Sequence, residues 1–303
     1  MPSTQEFRRR IKSVNNTKQI TKAMQMIASI KMQKAVKTIR SARSYIQNSW
    51  NILGMLAKLT SPEKHPLLQS RPIKKIGVIV ITSDRGLCGS YNTNILNKAL
   101  SYAKGEIKLG VETDVIADLD LVSIGQKGTN FIKTMPKGEL LAEFSGFGKE
   151  IEFDETKPIA KLMIDDYISK KYDQVVVIYS HFESPLKQTP VVKQILPITK
   201  DHIDIPELWE NAEETEKKIE YKFEPSPDEI LERILNQFIR MQIFGAVLES
   251  NASEHSARMF AMQSATDNAS DLISELQLVY NTVRQGNITR EIAEISGAAE
   301  AMK

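Results

Sequence analysis

Residues 7–40 read FRRRIKSVNNTKQITKAMQMIASIKMQKAVKTIR. The stretch holds ten Lys and Arg and no Asp or Glu, and its apolar residues return every three or four positions, as at Ile20, Met24 and Ile27. That spacing places them on one face of a helix, which turns once in ~3.6 residues. A long helix of one charge sign has four uses: an organelle presequence, a grip on nucleic acid, a helix lying on a membrane, or a shaft held by a partner protein.

Outward from this stretch, helical composition runs from Ser3 to Leu59 with no proline, broken only at Gly54. Phe7, Ile11 and Val14, then Ile20, Met24 and Ile27, continue one apolar stripe, and TSPEKHPLLQSRP (60–72), with three prolines, ends the helix. Residues 73–200 change character. KKIGVIVITSDRG is a β-rich run closing in a turn; NTNILNKALSYAKGE and TKPIAKLMIDDYISKKY have helical spacing; DVIADLDLVSIG, DQVVVIYS and TPVVKQILPI read as strands. Strands alternating with helices predict an α/β domain on a mainly parallel sheet. Residues 201–227 are polar and irregular, closing in FEPSP, and from Asp228 to about Ile295 the chain is helical again. Apolar or small residues recur there at Ala269, Leu272, Leu276, Val279 and Val283, then at Ile288, Ile292 and Ile295.

The lengths are decisive. At ~1.5 Å per residue the first helix spans roughly 85 Å and the last roughly 100 Å, against a radius of gyration of about 19 Å for a compact chain of this size. The expected architecture is therefore an N-terminal helix (1–60) and a C-terminal helix (228–303) paired antiparallel as a long coiled coil. Beside it stands a small Rossmann-like α/β domain (73–200), with 201–227 as a connecting segment. Charge supports the pairing: residues 1–60 carry twelve Lys and Arg against one acid, residues 228–303 six against eleven, while the whole chain nets only +2. Exposed ion pairs contribute ~0.2–1 kcal/mol each, so an apolar seam has to supply most of the stability.

The same counts thin the four uses. A presequence is short, whereas this basic pattern reaches Arg43. Nucleic-acid grips interleave aromatics for stacking, and none occurs from 8 to 44. Membrane-surface helices carry bulky Trp, Phe or Leu on the apolar face; here that face has Ile, Met, Ala and Thr. A solvated charged face and a face turned to a protein partner both stay open. No apolar run approaches the ~20 residues of a membrane span, and one cysteine, Cys88, forms no internal disulfide.

The best candidate for chemistry is ITSDRGLCGSYNTN (81–94), a strand, a glycine turn with Gly86 and Gly89, then a helix. Helix starts bind anions, but neither G-x-G-x-x-G nor G-x-x-x-x-G-K-[ST] is present. The turn reads as structural, with Asp84 and Arg85 locking it or touching a partner. Cys88 has no His near it in sequence and reads as a buried thiol. His65, His181, His202 and His255 lack metal-ligand spacing, and the pairs Asp118/Asp120 and Asp165/Asp166 do not by themselves make a metal site. A nucleotide-binding enzyme with a coiled-coil arm, and a nucleic-acid-binding coiled coil, remain the alternatives to a shaft.

Three stretches together resemble one family: RIKSVNNTKQITKAMQMIASIKMQKA, SDRGLCGSYN, and ASEHSARMFAMQSATDNASDLISELQLVYNTVRQGNITREIAEISGAA. They are similar, in order and across the whole chain, to the gamma subunits of F-type ATP synthases. The chain departs from the family pattern at Gln19, where Lys is usual, at Gly286, where R-Q-A is usual, and in the polar tail SGAAEAMK. With Cys88 alone, the paired cysteines of the photosynthetic versions are absent.

The resemblance implies a rotor shaft: a non-catalytic subunit, one copy per complex, with no cofactor of its own and no nucleic-acid partner. It implies a ring of alpha and beta subunits around the coiled coil, and an epsilon subunit and a membrane c-ring at its foot. It also implies a peripheral place on the cytoplasmic face of a bacterial plasma membrane. By motif position, Ile20, Met24, Ile27, Ile292 and Ile295 are expected in the apolar bearing or the seam supporting it. Lys22 is expected to face acidic loops of the ring, and Arg284, Gln285 and Thr289 to make polar contacts with it. Phe223 and Glu224, in KFEPSP, match the segment near the c-ring.

Overall fold

The computed structural model describes residues 4–59, 65–107, 118–135, 138–147, 151–198 and 226–302, with the side chains of 42–59, 227 and 228 excepted. Helix α1 spans Thr4–Leu59 and α5 Pro227–Ala301. The last helix thus passes the expected end near Ile295, because SGAAEA has neither proline nor a capping turn to stop it. Between them lie β1 (Lys75–Ile81), α2 (Tyr91–Ala103), β2 (Asp118–Ile124), α3 (Gln126–Ile132), β3 (Glu139–Phe144), α4 (Lys157–Ile168), β4 (Gln174–Phe182) and β5 (Gln188–Leu196). Contacts group the chain into two compact units, one of Met1–Ser29 with Arg258–Lys303 and one of Ile30–Ala257.

In the larger unit the strand order is β3-β2-β1-β4-β5. The first four strands are parallel, as the alternation of elements predicts, and β5 adds an antiparallel edge beside β4. Side-chain alternation sends Ile79, Ile81, Val175 and Val177 to one face, where they meet Ile159, Met163 and Tyr167 of α4 and Leu235, Phe238, Ile239 and Val247 of α5. Ile76, Val78, Val80, Val176 and Ile178 go to the other, against Tyr91, Ile95 and Ala99 of α2 and Ile132 of α3. Gly77 in mid-β1 leaves room for the Tyr172 ring; a Cβ there would stand 2.9 Å from it. Tyr172 in turn donates to Asp120 (2.9 Å), whose carboxylate also pairs with Lys75 (3.0 Å). Arg71 donates to the Tyr167 carbonyl (2.8 Å) and lies over the Tyr167 ring, fastening the chain ahead of β1 to the end of α4.

Two elements, α3 and β3, do not announce themselves in the sequence. Helix α3 has only 7 residues and starts at Gly125, whose φ of 99° suits glycine. Strand β3 is an edge whose residues alternate between exposed and half-buried, so it lacks the apolar run of the inner strands.

In the smaller unit the two long helices run antiparallel. Arg8 donates to the Tyr280 hydroxyl (2.9 Å), Thr21 meets Thr266 (2.8 Å), and Gln25 donates to Gln263. As the α1 partner advances, the α5 partner retreats by the same number of residues. Buried and half-buried positions fall at Phe7, Ile11, Val14, Lys18, Thr21, Gln25 and Ala28 of α1 and at Met262, Thr266, Ala269, Ile273, Leu276, Tyr280, Val283 and Asn287 of α5. Gaps alternate four and three on both helices, the 3.5-residue repeat of a left-handed coiled coil.

Candidate partner-facing surfaces

The turn after β1 sits where a doubly wound sheet reverses its strand order, between β1 and β4, the usual place for a ligand. Its polar groups are used internally. Asp84 accepts from the backbone N–H groups of Gln126 (3.1 Å) and Gly146 (3.0 Å), tying three loops together. Thr82 Oγ1 accepts from Gly128 N (2.8 Å), and Asn92 Oδ1 accepts from Ser83 N (3.0 Å). Cys88 is buried among Val80, Tyr91 and Ile95.

Helix α5 then fills the crevice beside this turn. Tyr91 Oη lies 2.6 Å from Ser250 Oγ, Ser253 Oγ donates to the Ser180 carbonyl (3.0 Å), and Ser256 Oγ donates to the Pro185 carbonyl (2.6 Å). His181 Nδ1 and Glu249 lie 2.6 Å apart, and that contact is the main cause raising the imidazole pKa above its usual value.

Other titratable groups are engaged as well. Asp120 is held by Lys75 and Tyr172, and Asp166 by Lys171 (2.8 Å). His65 Nδ1 accepts from Leu67 N (3.3 Å), and burial lowers the imidazole pKa. Among the described residues no three His, Cys, Asp or Glu gather to hold a metal ion, and no helix is long and apolar enough to cross a membrane. His202, Phe223 and Glu224 lie outside the described residues.

The coiled coil carries the remaining candidates, and it separates residues that the sequence reading grouped. Phe7, Ile11 and Val14 lie in the seam; Ile20 and Ile27 do not, being 60% and 56% exposed. Met24 is half-buried at the seam's edge. The seam alternative for Ile20 and Ile27 therefore fails, because the heptad frame passes through Thr21 and Ala28 instead. Leu272, grouped with the α5 stripe, is also exposed, and the seam runs through Ile273. Ile292 and Ile295 are 58% and 70% exposed, again outside any seam. Lys22, Arg284, Gln285 and Thr289 are exposed, with the Thr289 hydroxyl donating to the Gln285 carbonyl (2.9 Å).

From Ile288 to Met302 every residue is exposed. Ile20–Ile27 lies level with residues near 260–268 of α5, so the Arg284–Ile295 group is a second station, roughly 40 Å along the axis. Outward apolar residues that escaped sequence reading include Met26, Phe260 and Leu278. Their heptad phase, once the frame is set from Thr21 and Thr266, is the signal that finds them.

An antiparallel coiled coil with apolar side chains turned outward, in a chain whose α/β crevice is filled by its own helix, defines a protein that acts by contact with other chains. The ATP synthase family model matches residues 3–302. An ATP synthase gamma chain of Heliobacterium modesticaldum is 40% identical over 302 residues, and one of Pelotomaculum thermopropionicum 41% over 304, each comparison covering 100% of both chains. A chain of the Euglena gracilis mitochondrial ATP synthase, in a structure described as OSCP/F1/c-ring in rotational state 3, aligns with a TM-score of 0.65 at 18% identity, covering 99% of this chain and 94% of that one. The chain belongs to the ATP synthase gamma-chain family.

Proposed function

We propose that this chain is the central rotor shaft of an F-type ATP synthase, a subunit without a catalytic site of its own. The observation that carries the reading is the outward apolar surface of the coiled coil, at Ile20 and Ile27 and again at Ile288, Ile292 and Ile295. Exposed apolar residues at regular spacing mark a contact surface, and in a gamma chain the natural partner is a surrounding ring of alpha and beta subunits. Ile20, Met24 and Ile27 make the lower contact and Ile292 and Ile295 the upper bearing. Lys22 faces acidic loops of the ring, and Arg284, Gln285 and Thr289 make its polar contacts. Apolar and methionine side chains suit a turning surface, because they make no directional bond.

The foot, with Phe223 and Glu224, binds the epsilon subunit and the c-ring, and holds the chain peripherally at the cytoplasmic face of the plasma membrane. Ion flow through the c-ring turns the shaft. Each orientation offers different contacts to each beta subunit and shifts its nucleotide site between open and closed states. One experiment tests this: tagged chain is purified from cells and from an expression host lacking its partners. The expected result is co-purification with alpha and beta subunits in the first case and no ATP hydrolysis in the second. Strong ATP hydrolysis by the isolated chain overturns it.

A further inference from the structure

The coiled coil is inside-out over two of its layers. At the height where Ile20 and Ile27 face outward, the seam holds Thr21 against Thr266 and Gln25 against Gln263. These polar groups form a directed relay. Gln263 Nε2 donates to both carboxylate oxygens of Asp267 (2.9 Å each), which turns Gln263 Oε1 toward α1 to accept from Gln25 Nε2. Thr266 donates to the Met262 carbonyl (2.7 Å), which leaves its oxygen to accept from Thr21. The relay is incomplete: Gln25 Oε1 is buried with no hydrogen-bond partner. A buried carbonyl without a donor is a cost that an apolar pair would not carry. The layer is therefore a poor way to add stability.

We propose that this polar layer sets the register of the two helices. The apolar layers cannot do so alone. Sliding α5 by one heptad keeps most of the apolar contacts, since the repeat is the same on both helices: Ile11 and Val14 would meet Val283 and Tyr280 in one direction, and Phe7 and Ile11 would meet Ile273 and Ala269 in the other. The polar layer forbids that slide. In one direction Thr21 would face Ile273 and Thr266 would face Ala28; in the other Thr21 would face Met259 and Thr266 would face Val14. Either way both amides lose their partner. Each hydroxyl can fall back on its own helix, as Thr21 can by turning its proton to the Lys18 carbonyl 3.0 Å away, so the Gln25–Gln263 pair carries most of the discrimination. A one-heptad slip displaces Ile288, Ile292 and Ile295 by ~10 Å relative to Ile20 and Ile27. Register thus decides the spacing of the two outward apolar stations.

The test uses the full chain with Cys88→Ser and nitroxide labels on Gln19→Cys and Leu278→Cys, both exposed sites. The distance between labels is read by pulsed electron resonance. The native seam is expected to give one distance. Replacing the layer with Thr21→Val, Gln25→Leu, Gln263→Leu and Thr266→Val is expected to keep or raise the melting temperature. It should also add a second population shifted by up to ~10 Å, the slipped fraction rising about tenfold. A single native distance in that variant overturns the proposal. Should it fail to fold, Gln25→Leu alone is compared with Gln25→Leu/Gln263→Leu. The single change strands the Gln263 oxygen and is expected to melt lower than the double; equal melting overturns the proposal.

Discussion

The two units bury their side chains by opposite rules. In the sheet unit, apolar residues point inward on both faces of β1 and β4, and buried polar groups such as Asp120, Thr82 and Ser253 have partners at hydrogen-bond distance, with Asn236 Oδ1 an exception. In the coiled-coil unit, Thr21, Thr266 and the facing glutamines sit in the seam while Ile20, Ile27, Ile292 and Ile295 face out. The first rule is that of a domain built for its own stability. The second makes sense only where the outer surface has a use. On the described α/β elements of the sheet unit an exposed isoleucine occurs singly, at Ile168; along the helix pair it repeats.

The sharpest break in the sheet unit is Gly125→Ala. Its φ of 99° strains any side chain, and a Cβ would lie 2.3 Å from the Thr82 carbonyl oxygen, which is backbone and cannot step aside. A loss of ~3 kcal/mol or more is expected, seen as a lower urea midpoint. Next comes a direct contrast between the units with one chemistry. Ile159→Ala, at a site with 0% exposure, is expected to cost ~2–5 kcal/mol. Ile27→Ala, at 56% exposure, is expected to stay within ~0.5 kcal/mol. Its effect should appear instead as weaker binding to alpha and beta subunits. Equal stability losses at the two sites would erase the distinction between the units.

That contrast also explains what was legible in the sequence. β1 and β4 could be read because buried strands need near-continuous apolar runs, and the long helices because nothing in 4–59 or 228–301 except four glycines opposes helix. Strand β3 escaped because an edge needs only half an apolar face, and α3 because 7 residues are too few to show a period. The coiled-coil stripe was legible as a helix face but not as to what it faces. Apolar spacing at Phe7, Ile11 and Val14 marks the seam; the same spacing at Ile20, Met24 and Ile27 drifts off it. Only the partner helix, through Thr21–Thr266 and Gln25–Gln263, fixes which is which. The packing of α5 on this unit was out of reach for a similar reason: Ser250, Ser253 and Ser256 look like solvent-facing serines until Tyr91, Ser180 and Pro185 are placed against them.

A smaller effect tests how α5 is held on the sheet. The His181–Glu249 contact raises the folded-state imidazole pKa above its ordinary value of 6.5. Its stabilisation is therefore complete below about that pH and is lost as pH rises through the folded value. His65 acts with the opposite sign: burial lowers its pKa, so its contribution is present above about pH 6.5 and is lost as pH falls. Subtracting the pH–stability curve of His181→Gln from that of the native chain isolates the first. The difference is expected to be ~1.5–3 kcal/mol at pH 5.5 and to shrink toward alkaline pH. A flat difference would mean that Glu249 holds the neutral ring equally well.

The smallest expected change lies in the coiled-coil unit and has the opposite direction. Gly286 is helical and exposed, and a Cβ there meets no atom within 4 Å. Gly286→Ala therefore adds no clash and removes backbone freedom from the unfolded chain, for a gain of up to ~1 kcal/mol. The gain should appear as slower amide exchange between about residues 280 and 295, where no seam contact otherwise protects α5 beyond Asn287. If exchange there is unchanged while the sheet unit becomes more protected, the two units share one unfolding transition. If only α5 responds, the outward-facing end of the helix is set by its own backbone, as its complete exposure implies.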